Sequence, residues 1–456
     1  MTQTELTSTA SLTGKWKTYP AYKDSGVEWL GEIPEHWEVK RLRFICHVNP
    51  SKTALSYLPI DTPISFLPME QIGVDGSISL EETRTIEQVR QGYTCFRNGD
   101  VIVAKITPCF ENGKGALCTQ LLNGIGFGTT ELHVLRAKDE TDPKFIFYLT
   151  RSKPFCEIGT AMMYGSAGQQ RVPEDFINDF QVGFPSLTEQ RAIATFLDHE
   201  TTRINALIAK KERLIELLQE KRAALISLAV TKGLDPTVRM KDSGVEWLGE
   251  IPEHWEVLHL KRIAKIRYGL GQPPAQLDEG TPFIRATNVK SGVIVDEGML
   301  YVDCSDIPQS RDAVLSSGEI IVVRSGAYTG DSAIVPKKFQ GTIAGYDMVV
   351  AVTIGYSPFI AWQLLSSEVR ELQFNFHSQR AAQPHLNAEE LGDTLFSVPP
   401  STEQHAIANY LDRETAKIDA LVSRIREGIE KLREYSAALI SAAVTGKIDV
   451  RGEIAS

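Results

Sequence analysis

The chain has 456 residues, 42% of them hydrophobic, and a formal net charge of −10 at pH 7. That length supports two or three domains, each with its own core, and the negative balance argues against a protein that coats nucleic acid non-specifically, because phosphate binding needs concentrated Lys and Arg. No apolar run approaches the ~20 residues of a membrane span, and MTQTELTSTASLTGK lacks the basic start and apolar block of a secretory signal, so a cytoplasmic protein is expected.

After an N-terminal extension, residues 23–39 read KDSGVEWLGEIPEHWEV, and residues 241–257 repeat them letter for letter. An identity of that length carrying two tryptophans is no accident, so the chain is read as two halves built on one frame. The six cysteines, Cys46, Cys95, Cys109, Cys118, Cys156 and Cys304, form no CxxC pair and fall five to one between the halves. A disulfide framework or metal site would have been copied with the box, so reduced, mostly buried thiols are expected.

Between box and helix, residues 40–184 and 258–397 share only a rhythm. Each has a turn and then a buried-type strand: Asn98-Gly99-Asp100 before Val101–Ala104, and Ser317-Gly318-Glu319 before Ile320–Val323. Each strand exits into a cation, Lys105 or Arg324. Asp142-Pro143 and Ser357-Pro358 then mark helix starts, with the residue before proline as cap. Both segments are α+β with one plan and different loops.

Glycine-rich polar loops follow, containing Ser166, Gln169, Gln170 and Arg171 in the first half and Gln379, Arg380 and Gln383 in the second. Arg and Gln suit bidentate reading of guanine and adenine edges, and Ser and Gly let the backbone approach phosphate. With Lys105 and Arg324, these are the candidate DNA-binding residues. A Gln-Arg loop is more often a plain solvated surface, but it recurs at the corresponding place in both halves.

The halves end alike. TEQRAIATFLDHETTRINALIAKKERLIELLQEKRAALISLAVT, residues 188–231, aligns without gaps on TEQHAIANYLDRETAKIDALVSRIREGIEKLREYSAALISAAVT, residues 402–445. A heptad placed from Ile204 gives core positions Ile204, Leu207, Lys211, Leu214, Leu218, Lys221, Leu225 and Leu228. Its copy gives Ile418, Leu421, Ile425, Gly428, Leu432, Tyr435, Leu439 and Ala442. At ~1.5 Å per residue such helices reach about 60 Å, too long for one face of a small domain. The reading is an antiparallel coiled-coil pair that spaces the globular segments. Thr188-Glu189-Gln190 and Thr402-Glu403-Gln404 read as helix-entry chemistry.

Catalytic signatures are missing. Gly446-Lys447 has Ser441 where a phosphate-cradling loop needs its first glycine, and Gly124-Ile125-Gly126-Phe127-Gly128 reads as a loop without a copy. No Asn-Pro-Pro-aromatic string of an amino-methyltransferase occurs. Glu38 and Lys40 could pass for nuclease residues, but Leu258 stands at the second Lys position. His36 and His254 have no second ligand residue near them and read as structural or contact residues.

The layout of box, variable domain and long helix, twice over, resembles the specificity subunit of type I restriction-modification enzymes. The strings that carry it are GVEWLGEIPEHWEV, PSLTEQRAIATFLD with PPSTEQHAIANYLD, and the ALIS-x-AVT helix ends, and the likeness runs from about Tyr19 to Val450. It implies an N-terminal extension (1–22), a first target recognition domain with its box (23–187), a first spacer helix (188–232), a second target recognition domain (241–400) and a second helix (401–450). Each recognition domain would read one half of a split site in double-stranded DNA.

The resemblance further implies that boxes and helices dock two methyltransferase subunits, with Trp29, Trp37, Trp247, Trp255, Leu207, Leu214, Leu421 and Leu432 as candidate contacts. Those subunits use S-adenosylmethionine to methylate adenine. Two restriction subunits, motor-nucleases using ATP and Mg, join for cleavage. This chain would bind no cofactor or metal, catalyse nothing and meet no membrane. The alternative from another class is a scaffold that binds no DNA, two protein-binding modules on a coiled coil.

Overall fold

The computed structural model describes residues 15–51, 58–166, 168–303, 305, 307, 312–374 and 385–453. It divides into two compact units, residues 1–211 with 427–456, and residues 212–426. The protein is α+β.

In the first unit the buried run Asp100–Ala104 lies inside an antiparallel sheet ordered Cys46–Val48, Leu132–Ala137, Asp100–Ala104, Gly115–Leu117. A second sheet is ordered Glu82–Thr85, Pro63–Leu67, Ile125–Gly128, Thr94–Arg97, and its central pair is parallel. Gly124–Gly128, expected as a loop, therefore mostly forms a strand. Its glycines answer a packing need: a Cβ on Gly126 would fall 2.2 Å from the Phe96 ring. Asp142 caps the helix Pro143–Thr150 by accepting from the Lys144 and Phe145 amides, as its sequence indicates.

The second unit repeats the first sheet's strand order on unrelated residues and varies the second sheet, whose parallel pair lies at the edge. Its first sheet runs Ala264–Tyr268, Met348–Val352, Ile320–Val322, Ser332–Ile334, and its second Gln276–Leu277, Leu300–Val302, Thr281–Ile284, Ile343–Ala344, again with one parallel pair. The helix Ser357–Leu364 differs from expectation at its start. Ser357 is already helical and Tyr356 is the capping position, whose amide is taken by the Gln404 side chain at 2.7 Å.

The repeated box is a small antiparallel ribbon, Tyr22–Asp24 with Glu32–Pro34 and Met240–Asp242 with Glu250–Pro252. It continues into Glu38–Arg41, which pairs with Gln181–Phe184, and into Glu256–His259, which pairs with Leu395–Val398. Trp37 and Trp255 are each fully buried. His36 and Trp37 both hydrogen-bond Glu189, at 2.8 and 3.1 Å, and His254 and Trp255 both bond Glu403, at 2.6 and 3.1 Å. The TEQ glutamates thus hold the box to the helix, beyond any service to the helix dipole. Gln190 accepts from the Asp142 amide and donates to the Pro185 carbonyl, locking helix entry to the domain.

The long helices span Leu187–Lys232 and Ser401–Val444. In the first unit Ile193, Phe196 and Leu197, near the start of one, share a core with Leu439, Ile440 and Val444, near the end of the other. In the second, Ile226, Ala229 and Val230 share a core with Ile407, Ala408 and Leu411. Within each unit the pair is antiparallel. Each box receives the end of the helix from the opposite half: Lys447 Nζ donates to the Leu30 and Glu32 carbonyls, and Lys232 Nζ to those of Leu248 and Glu250.

The seam corrects the sequence register at every second position. Ile204, Lys211, Leu218 and Leu225 face inward as read, but the residues between them are Ile208, Ile215, Arg222 and Ala229, one later than Leu207, Leu214, Lys221 and Leu228. On the second helix Val422 and Ile429 are buried where Leu421 and Gly428 were expected. Leu207, Leu214, Leu228 and Leu421 stay exposed. Lys211 lies against Gly428, and Arg222 pairs with Asp419 at 3.1 Å.

Candidate nucleic-acid interface

The two strands that end in a cation are aimed by the same device. Gly99 and Gly318 take positive φ, which an L side chain resists. The next residue, Asp100 or Glu319, accepts the amide three residues back and grips an arginine bidentately, Arg136 or Arg267. That fixes one strand end, and Lys105 and Arg324 leave from the other.

In the first unit the loop carrying Ser166, Gln169, Gln170 and Arg171 closes beside the fifth candidate, Lys105. The Val172 amide bonds the Lys105 carbonyl at 2.8 Å, and Thr107 exchanges two bonds with Gln170. Arg171 and Tyr164 exchange backbone bonds, closing the loop, and Gln169 donates to the Ser166 carbonyl. Gly165 and Gly168 supply the positive φ that the tight path needs. The Arg171 guanidinium forks onto Glu131 with two bonds of 2.9 Å, which holds the Glu131 carboxyl below its usual range, Lys105 adding to the effect. Arg171 therefore anchors the loop, while Ser166 and Gln169 are exposed and Lys105 and Gln170 half-buried.

The second unit places different chemistry on the same frame. Asp347 stands one residue before its strand, as Glu131 does, and the Leu386 amide bonds the Arg324 carbonyl as Val172 bonds Lys105. Arg324 Nη2 donates to His385 Nε2 at 2.9 Å, with Cζ 4.6 Å from the Tyr268 ring and 4.4 Å from that of Tyr346. Burial pushes the Asp347 carboxyl up to about 6, against the pull of Arg324. Gln379, Arg380 and Gln383 lie outside the described residues. Glu131, Asp347, His385, Tyr268 and Tyr346 were not singled out from sequence, because only the fold brings them to the strand ends.

Of the candidate docking residues, Trp37 and Trp255 are wholly buried, so what they offer a partner is the box they hold in place. Trp29 stacks on Phe180 at 4.8 Å and, with Trp247, is half-buried. Leu432 is half-buried, and Leu207, Leu214 and Leu421 are open. Among the described residues no cluster of three His, Cys, Asp or Glu side chains could hold a metal, and no helix is long and apolar enough to cross a membrane.

Residues 252–431 match the family described as Type I restriction modification DNA specificity domain. The matched residues run from the second box into the second long helix, so the half that carries the box and helix motifs is similar to that family. The chain is similar to the EcoAI specificity subunit of Escherichia coli, 43% identical over 165 residues that cover 36% of this chain and 27% of that one. It is 40% identical to the EcoEI subunit of the same organism over 40% of this chain and 30% of that one. A putative specificity subunit, MjaX of Methanocaldococcus jannaschii, aligns over 92% of this chain and 96% of its own length at 25% identity.

Two solved structures share the fold. One, from work on complex assembly and conformational transition of the type I R-M system, gives a TM-score of 0.71 at 17% identity, covering 92% of this chain and 99% of that one. The HsdS subunit of Thermoanaerobacter tengcongensis gives 0.51 at 18% identity, covering 92% and 98%.

Proposed function

We propose that this chain selects the DNA sequence acted on by a type I restriction-modification complex in the cytoplasm. Each unit reads one half of a bipartite site, and the long helices set the gap and, with the boxes, dock two methyltransferase subunits. Chemistry resides in the partners: S-adenosylmethionine-dependent adenine methylation in those subunits, and ATP- and Mg-dependent cleavage in two motor-nuclease subunits. The chain itself is non-catalytic. One observation carries this reading: two units whose strand-bearing sheets share one strand order present different side chains, Lys105 with the Glu131–Arg171 clamp and Arg324 with Asp347 and His385, at the same strand end. A fixed frame with divergent tips is what two readers of two unlike half-sites require.

The test is a genome-wide map of modified adenines with and without the gene. Loss of one bipartite motif on deletion supports the reading. An unchanged map, together with no sequence-specific DNA binding by the purified complex, overturns it in favour of a scaffold. Exchanging residues 40–184 for another reader should change one half-site only.

A further inference from the structure

We propose that Arg324 reads a guanine in the half-site bound by the second unit, through the N7 and O6 edge in the major groove. The inference rests on the reading that this unit binds DNA. Arg324 follows the strand Ile320–Val322, and its backbone amide donates to Asp347, whose carboxyl feels its charge, but among the described residues its guanidinium forks onto no carboxylate as that of Arg171 does. Its plane is nevertheless held. Two tyrosine rings lie against it, Nη2 donates to His385, and the Tyr268 hydroxyl is itself tied down by the Ala388 amide at 2.8 Å. Arg324 is half-buried, with its Nε buried and without a partner among the described residues, and the Tyr346 ring against it is 46% exposed, so the open end of the fork is the Nη side.

A guanidinium can also fork onto a phosphate, but a phosphate presents oxygens in several directions and a mobile side chain can find them, whereas a guanine edge offers two acceptors in one plane and rewards a fork held in that plane beforehand. The contrast with Arg171 sharpens this, because both arms of its fork are closed by Glu131. Arginine is thus an anchor in the first unit and a reader in the second. Holding the fork before DNA arrives lowers the ordering cost of the contact.

The complex with its methyltransferase partners would be titrated, at fixed salt, with its mapped site carrying 7-deazaguanine at one second-half guanine at a time. That analogue replaces N7 by C–H. At one position the wild-type protein should lose roughly five- to hundredfold in affinity. Arg324→Ala should bind unmodified DNA weakly by a similar factor and lose nothing further from the analogue there. First-half analogues should cost both proteins equally, which checks that the variant is folded. Should Arg324→Ala not assemble, Arg324→Lys, which keeps the charge and loses the fork, serves in the same cycle.

An analogue cost equal in variant and wild type, no responsive guanine in that half-site, or a uniform affinity loss with a shallower salt slope as from a phosphate contact would each overturn the proposal. Those results leave the specificity role standing. A wild-type complex that does not distinguish its site at all would take that role down too.

Discussion

Trp37 Nε1 donates to Glu189 Oε1 at 3.1 Å, and this bond joins the repeated box to the first turn of the long helix. The Glu189 side chain is 5% exposed, whereas the equivalent Glu403 is 40% exposed. Removing a buried acceptor strands its donors, at a cost of about 1–3 kcal/mol, while water replaces an exposed one. Glu189→Ala should therefore destabilise the protein clearly more than Glu403→Ala in urea denaturation. Equal losses would show that the Trp bond, common to both, outweighs burial.

The observed seam makes a sharp pair of predictions within the second unit. Ile425 is 6% exposed and Leu421 is 44% exposed, four residues earlier on the same helix. Ile425→Ala should cost about 2–5 kcal/mol, and Leu421→Ala less than about 0.5 kcal/mol. If Leu421 also docks a methyltransferase subunit, its alanine variant keeps its melting temperature but co-purifies with less partner. Losses of similar size at the two positions would restore the heptad read from sequence, which put both in the core.

That heptad also marks how far sequence reasoning reached. The seven-residue period and the positions Ile204, Leu218 and Leu225 were legible, but Leu207-Ile208 and Leu214-Ile215 offer two apolar residues side by side. Only the facing helix, with Val422 and Ile429 inward, breaks the tie. The strands before Lys105 and Arg324 were legible because β-branched runs follow a glycine turn. Glu131 and Asp347 were not, since their meaning comes from contacts with residues about 40 positions away in sequence, such as Arg171, or from burial that no local pattern announces.

Asp347 should make the protein less stable at neutral pH than at mildly acidic pH. Its folded-state value, about 6, lies above the ordinary 3.8. The folded protein thus holds this proton more tightly than the unfolded chain, and stability falls as pH rises from about 4 to 6, by up to roughly 2–3 kcal/mol. Asp347→Asn keeps an oxygen for the Arg324 amide and removes the charge. Compared with wild type by urea denaturation, it should gain stability at pH 7.5 and little at pH 4.5. A variant equally affected at both pH values would rule out titration of this group as the source.

Arg171 should behave as an anchor in the first unit. Its two bonds to Glu131 close the loop at residues 164–171, which carries Ser166, Gln169 and Gln170. Because the Glu131 carboxyl is held low, first by its hydrogen bonds to Arg171, the clamp is complete above the ordinary carboxylate range and fails only as pH falls through the depressed value. Arg171→Ala frees the loop at any pH. In a methylation assay on sites bearing single-base changes, selectivity should fall at several first-half positions together, with the second half-site unchanged. Glu131→Gln, which retains one acceptor for the fork, should lose less. Relaxation at a single base position in Arg171→Ala would instead make Arg171 a direct reader, and the Glu131 fork would have to open when DNA binds.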